Sequence, residues 1–196
     1  MPGRIDARLK DLGIVLPQVA KPVANYVPWV VTGNLVFVSG QVTFKDGKLE
    51  WLGKVGREYS IEQGAQAARQ VGLNILAALK GAVGDLDRIA RIVKLVGFVN
   101  APPEFTDHPK VINGCSDLMV EVFGEKGKHT RVALGAAALP ANCAVEIDCI
   151  AEIAAPARAA SRPAARKVAK KVAKKAAAPK RKAAKASKPK AARRKR

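Results

Sequence analysis

Histidine and cysteine are scarce in this chain, with two histidines and three cysteines among 196 residues. His108 and His129 are scattered, and Cys115, Cys143 and Cys149 form no Cys-x-x-Cys, so no metal centre is suggested. Cys143 and Cys149 would lie about 20 Å apart on one continuous strand, too far for a disulfide. The odd count and that separation point to reduced thiols in a cytoplasmic protein. No stretch reaches the ~20 apolar residues that a membrane helix needs. The opening residues Met1-Pro2-Gly3-Arg4-Ile5-Asp6 lack the apolar centre of an export signal.

Acidic residues are absent from the last part of the chain, while basic ones crowd it. Eighteen of the 35 Lys and Arg residues follow Ala155, leaving seventeen against sixteen acidic side chains before it. The net charge of +19 therefore belongs almost wholly to a tail. The expected organisation is a near-neutral domain over residues 1–155, long enough for one buried core, and a basic tail over 156–196. The tail is built from Ala, Lys, Arg, Pro, Ser and Val without an aromatic residue. It cannot bury enough apolar surface to offset its ordering entropy, so disorder is expected.

Within the domain, Ile5, Leu9 and Leu12 have helical spacing and stop at Gly13. Val27–Val31 and Leu35–Ser39 flank Thr32-Gly33-Asn34 and predict paired strands. A second hairpin turns at Asp46-Gly47. Ser60-Ile61-Glu62-Gln63 is a capping box, opening a helix whose small residues Ala65, Ala68 and Gly72 would let it lie close to a sheet. Ile89–Val99 predicts a long strand, and 109–123 a second helix ending at Gly124. Val132–Leu139 and Ala144–Ile153 predict the last two strands, linked through Pro140-Ala141-Asn142. The fold class expected is α+β, a sheet with two helices on one face.

Arg131 stands at the mouth of an apolar run, "HTRVALGAAALP" (129–140). A guanidinium entering a buried strand needs a carboxylate or another oxyanion, because an unpaired buried charge is costly. Glu146 and Asp148 are the obvious internal partners. In a simple hairpin, however, Glu146 would face about Ala136–Leu139, several residues from Arg131. A neighbouring subunit or a bound anion remains open as the partner.

The segments "VANYV" (23–27), "TGNLVFVSGQV" (32–42), "GAQAARQVGLNILAAL" (64–79), "HTRVALGAAALP" (129–140) and "VEIDCIAEI" (145–153) agree in order and spacing with one family. The domain resembles the Rid family of reactive intermediate deaminases, also called YjgF-like or L-PSP endoribonuclease proteins. The resemblance implies a chorismate-mutase-like fold and a homotrimer with ligand clefts between subunits. It implies that Arg131 binds the carboxylate of a small 2-imino acid and that Glu146 positions the attacking water. Tyr26, Ser39, Gly40 and Asn113 would line the cleft. The expected activity is hydrolysis of 2-enamine or 2-imino acids, such as 2-aminoacrylate, to a 2-keto acid and ammonia, with neither metal nor organic cofactor. Two departures are plain: Ala133 replaces the family's cysteine, and Ala24-Asn25-Tyr26 replaces its Gly-Pro-Tyr.

The tail resembles the Ala-Lys-Pro-rich arms of linker histones. Its lysines and arginines, among them Lys167, Lys170, Lys171, Lys174, Lys175, Lys180, Arg181 and Lys182, are expected to bind nucleic acid without sequence preference. Nucleoid association would follow. Three other readings stay open: a metabolite-binding trimer without turnover, a scaffold presenting three DNA-binding arms, and an endoribonuclease. The last is disfavoured because neither histidine has an evident partner for RNA cleavage.

Overall fold

A computed structural model of the chain describes residues 3–19 and 25–154. The basic residues singled out in the tail lie outside the described residues. Helix α1 (Arg4–Asp11) buries Ile5 and Leu9. The Asp87 carboxylate accepts from its first free amides, Arg4 N at 2.5 Å and Ile5 N at 3.0 Å. Strands β1 (Trp29–Thr32) and β2 (Leu35–Val42) pair antiparallel around Gly33. A short ribbon, β3 (Phe44–Lys45) and β4 (Lys48–Leu49), turns at Asp46-Gly47 with φ of 49° and 83°, the positive pair a tight hairpin needs.

The capping box forms: Ser60 Oγ accepts from Gln63 N, and the Gln63 side chain accepts from Ser60 N. It opens α2 (Ile61–Val83). Strand β5 (Ile89–Asn100), helix α3 (His108–Phe123), strand β6 (Thr130–Ala136) and strand β7 (Val145–Ile153) complete the described elements. The main sheet runs β1-β2-β7-β5-β6, antiparallel except for β5 beside β6.

That order corrects the reading of the last two strands. β6 ends at Ala136 rather than Leu139, and β7 is not its hairpin partner. The chain leaves β5, crosses through α3 and returns parallel on the sheet edge, the connection that two parallel neighbours require. β7 then inserts on the other side of β5, where Val145, Ile147, Cys149 and Ala151 all face the core. The intervening segment reverses through Ala141 and Asn142, with φ of 50° and 59°.

Helices α2 and α3 cover one face. The small residues of α2 serve the neighbouring helix as well as the sheet. A Cβ at Gly72 would meet Leu118 at 2.9 Å, and one at Gly114 would strike the Ala65 carbonyl. On the sheet side of α3, a Cβ at Gly97 would meet Ile112 at 2.6 Å and one at Gly135 would meet His108 at 2.5 Å. With Ala133 between them in register, these small residues let α3 lie flat over β5 and β6. Among the described residues no helix lies on the other face of the sheet. There Val30, Phe37, Val132 and Leu134 are exposed.

Candidate functional site

Arg131 is the second residue of β6 and pairs with Leu95, itself beside Cys149. Leu95 and Cys149 are buried under the helices, so alternation puts Arg131 on the helix-covered face at the sheet's edge. Its Nη1 donates to Asn113 Oδ1 at 2.8 Å and to Ser116 Oγ at 3.0 Å, both on α3. None of the ion pairs among the described residues involves Arg131. Among the described residues, then, no carboxylate is what the guanidinium holds. Two uncharged oxygens hold it.

Glu146 lies elsewhere. It pairs with Phe98, which stands beside Leu134. It is therefore two strands from Arg131 and offset by three residues, about 10 Å in each direction. The odd offset turns the two side chains to opposite faces of the sheet. Glu146 and Asp148 occupy the uncovered face. One chain therefore brings Arg131 together with Asn113, and does not bring it to Glu146.

A second group of the expected residues does assemble around Glu146. The β2–β7 register shifts between Val38 and Gln41, so Ser39 and Gly40 form a bulge in the ladder. Gly40 lies so close that a Cβ there would strike Glu146 Oε1. Ser39 Oγ donates to Val27 O at 2.7 Å and Ser39 N to Pro28 O at 3.0 Å, tying the segment that carries Tyr26 to the bulge. Tyr26 is half exposed. Asn74, reaching across from α2, donates to Val42 O and Phe44 O and fixes the strand end beyond the bulge.

Electrostatics separate the two groups further. Burial first, and then the Asp148 carboxylate two residues on, hold the Glu146 pKa above its ordinary value. Asp148 is raised by burial, against the Lys94 ammonium, which lowers it. The three cysteines are buried and unpaired. Burial pushes the Cys115 thiol to about 12 and Cys143 to about 11, leaving both protonated and unreactive at neutral pH. Among the described residues no group of three or more His, Cys, Asp or Glu could hold a metal ion.

Two residues that sequence reasoning left aside belong to the arginine's surroundings. His129 does have a partner: its Nε2 lies 3.1 Å from Ser116 Oγ, and its Nδ1 lies 2.6 Å from Gly127 O. The three-residue spacing of Asn113 and Ser116 on one helix face was the available signal, but it carries no meaning until α3 is known to cover β6. A further polar network joins the loops at the end of β5. Lys54 Nζ donates to Asn100 Oδ1 and to Ala137 O, each at 2.6 Å. The fully buried Asn100 amide donates to Asn142 Oδ1 and Cys143 O.

A sheet covered on one face by two helices, with a parallel crossover to an edge strand, defines the chorismate-mutase-like class of α+β proteins. The chain belongs to the family described as "YjgF/chorismate_mutase-like, putative endoribonuclease", whose family model matches residues 6–153. Protein TCP17 of Trypanosoma cruzi is 44% identical over 152 residues, covering 77% of this chain and 95% of that one. Protein Atu1372 of Agrobacterium tumefaciens, of unknown function, is 48% identical with a TM-score of 0.71, over 76% of this chain and 92% of its own. A "putative endoribonuclease" of Shewanella oneidensis is 36% identical with a TM-score of 0.75, over 77% and 100% respectively. No helix among the described residues is long and apolar enough to cross a membrane.

Proposed function

We propose that the domain hydrolyses reactive 2-enamine and 2-imino acids, 2-aminoacrylate among them, at clefts formed between the subunits of a homotrimer. The observation that carries this reading is Arg131: a fixed cation with neutral partners and no carboxylate partner among the described residues. A substrate carboxylate would complete it, and a planar guanidinium suits that anion. The uncovered sheet face, with Val30, Phe37, Val132 and Leu134 exposed, supports burial against other copies of the chain. In such an assembly the β6 edge of one chain meets the β2–β7 region of the next. Arg131 and Asn113 then come from one subunit, and Tyr26, Ser39, Gly40 and Glu146 from its neighbour.

The chemistry follows from these groups. The enamine takes a proton at its terminal carbon to become the iminium, held by its carboxylate on Arg131. Glu146 accepts a proton from water as the water oxygen bonds to the iminium carbon. That proton passes on to the amine, the C–N bond breaks as the hydroxyl gives its remaining proton to the emptied Glu146 carboxylate, and ammonia leaves with the keto acid behind. Glu146 then returns its proton to solvent, matching the one the enamine took up. Burial and the neighbouring Asp148 carboxylate hold the Glu146 pKa above its ordinary value, which makes it a stronger base than an ordinary carboxylate. The basic tail, in this reading, is an address: three arms per trimer binding a nucleic acid by counterion release and gaining avidity from their linkage.

The test is release of ammonia and keto acid from freshly generated 2-aminoacrylate, above the spontaneous rate. The intact protein and a chain ending at Ala155 should both turn over. Arg131→Ala should lose about 100-fold or more, the worth of charge-assisted hydrogen bonds to one carboxylate. Absence of turnover in the intact protein on this and bulkier imino acids overturns the proposal. Cleavage of single-stranded RNA, abolished by Arg131→Ala and not by loss of the tail, would put the nuclease reading in its place.

A further inference from the structure

The geometry points to Ser116 and His129 as positioning residues for Arg131, an inference that rests on reading Arg131 as the carboxylate anchor. The hydrogen bonds around it form a chain whose directions follow once the His129 ring carries a single proton. The Gly127 carbonyl can only accept, so His129 Nδ1, 2.6 Å away, carries its proton there. In the neutral imidazole Nε2 is then a bare acceptor, and the Ser116 hydroxyl, 3.1 Å away, donates to it. Arginine can only donate, so Nη1 gives one hydrogen to the Ser116 oxygen at 3.0 Å and the other to Asn113 Oδ1 at 2.8 Å. Each of these groups has one role, and the roles agree.

The chain is anchored at its far end by packing. Gly127 is buried, and a Cβ there would strike the Met119 carbonyl near the end of α3. Only glycine brings that backbone close enough to aim its carbonyl at His129. The residues responsible stand in two short patterns, Asn113-x-x-Ser116 on α3 and Gly127-x-His129-x-Arg131 entering β6.

The consequence concerns how an anion is met. Both Nη1 hydrogens are committed, so the end-on fork between Nη1 and Nη2 is closed to a ligand. What remains for bidentate contact is the Nε–Nη2 edge, held in one plane by the Ser116–His129 chain. The site is therefore set for a planar carboxylate approaching side-on, with the loss of side-chain freedom already met before binding.

Steady-state kinetics with 2-aminoacrylate and calorimetry with pyruvate, on the full-length chain, test this. Ser116→Ala and His129→Phe should each raise KM and the pyruvate Kd about 10-fold, with kcat within about twofold. The double variant should be no worse than either single, since both remove one chain. Ser116→Thr, which keeps the hydroxyl, should restore most of the loss. A merely structural role would instead lower kcat or trimer yield without sparing the threonine variant.

Side-chain nitrogen NMR gives a readout that needs no substrate. The intact protein should show slowed rotation about the Arg131 guanidinium and a His129 ring protonated at Nδ1. In Ser116→Ala the slowed rotation should vanish. If turnover is absent but these signals hold, the deaminase reading fails and the positioning stands. A freely rotating Arg131, or a His129 ring protonated at Nε2, overturns the positioning even where turnover is found. So does a Ser116→Ala protein whose KM, pyruvate Kd and NMR signals match those of the intact chain.

Discussion

The two faces of the sheet treat their charges in opposite ways. On the covered face Arg131 is held through Asn113 and Ser116, with His129 behind them. On the open face Glu146 is half buried beside a second carboxylate and against a glycine, and its pKa is pushed up. The cation is thus fixed in place before any ligand arrives, whereas the carboxylate is left with an unfavourable charge. Fixing suits a group that binds; poising suits a group that takes a proton. Apolar residues on that face, Phe37 and Leu134 among them, are exposed among the described residues, which is why the proposed cleft draws its other wall from a neighbouring chain.

The largest effect is expected where the proposed contact between chains on the open face is disrupted. Leu134→Glu puts a charge among exposed apolar residues, and should give monomers by light scattering and no measurable turnover. The chain itself should still fold, because Leu134 is already exposed in it.

The difference between the two groups sharpens next at Glu146 itself. Glu146→Gln removes the base and should lower kcat by about 100- to 10,000-fold, the range for a positioned proton acceptor. The sign of the stability effect is opposite. Burial raises the folded pKa above the unfolded one, so the ionised form costs stability at neutral pH, and that cost is relieved as pH falls through the folded value. The glutamine variant should therefore melt higher than the parent at neutral pH and lose that advantage in acid, as scanning calorimetry would record.

A residue serving structure alone gives the contrasting pattern. Asn100→Ala strips a buried amide from Lys54, Asn142 and the Cys143 carbonyl, and should cost about 1–3 kcal/mol in denaturant unfolding. Its effect on KM should stay small. The smallest change expected is at Asp148→Asn. One of the two causes raising Glu146 disappears, so the acid limb of the kcat profile should move to lower pH without changing its plateau.

Much of the fold was legible in the sequence because its signals are local. The capping box at Ser60, the Asp46-Gly47 turn and the glycines after α1, α2 and α3 fall where their chemistry dictates. The position of β7 was not legible. Val132–Leu139 followed closely by Ala144–Ile153 looks like a hairpin, and only the parallel return through α3 reveals that β5 separates them. The same crossover hid the arginine's partners. Ser116 and His129 are thirteen residues apart, and they meet only because α3 lies across the start of β6. Asn113 emerged from the family resemblance, and Gly40 proved to be the glycine that makes room for Glu146.

In the proposed trimer Arg131 and Glu146 act in one cleft while belonging to different chains. Complementation tests it directly. Arg131→Ala and Glu146→Gln proteins, each inactive alone, would be mixed in equal amounts, dissociated and reassembled, and assayed on 2-aminoacrylate. In randomly mixed trimers about a quarter of the clefts would join an intact Arg131 from one chain to an intact Glu146 from its neighbour. Recovery of about a quarter of the parent's turnover is expected. Mixed trimers as inactive as either parent variant would contradict it, because both residues would then have to come from the same chain.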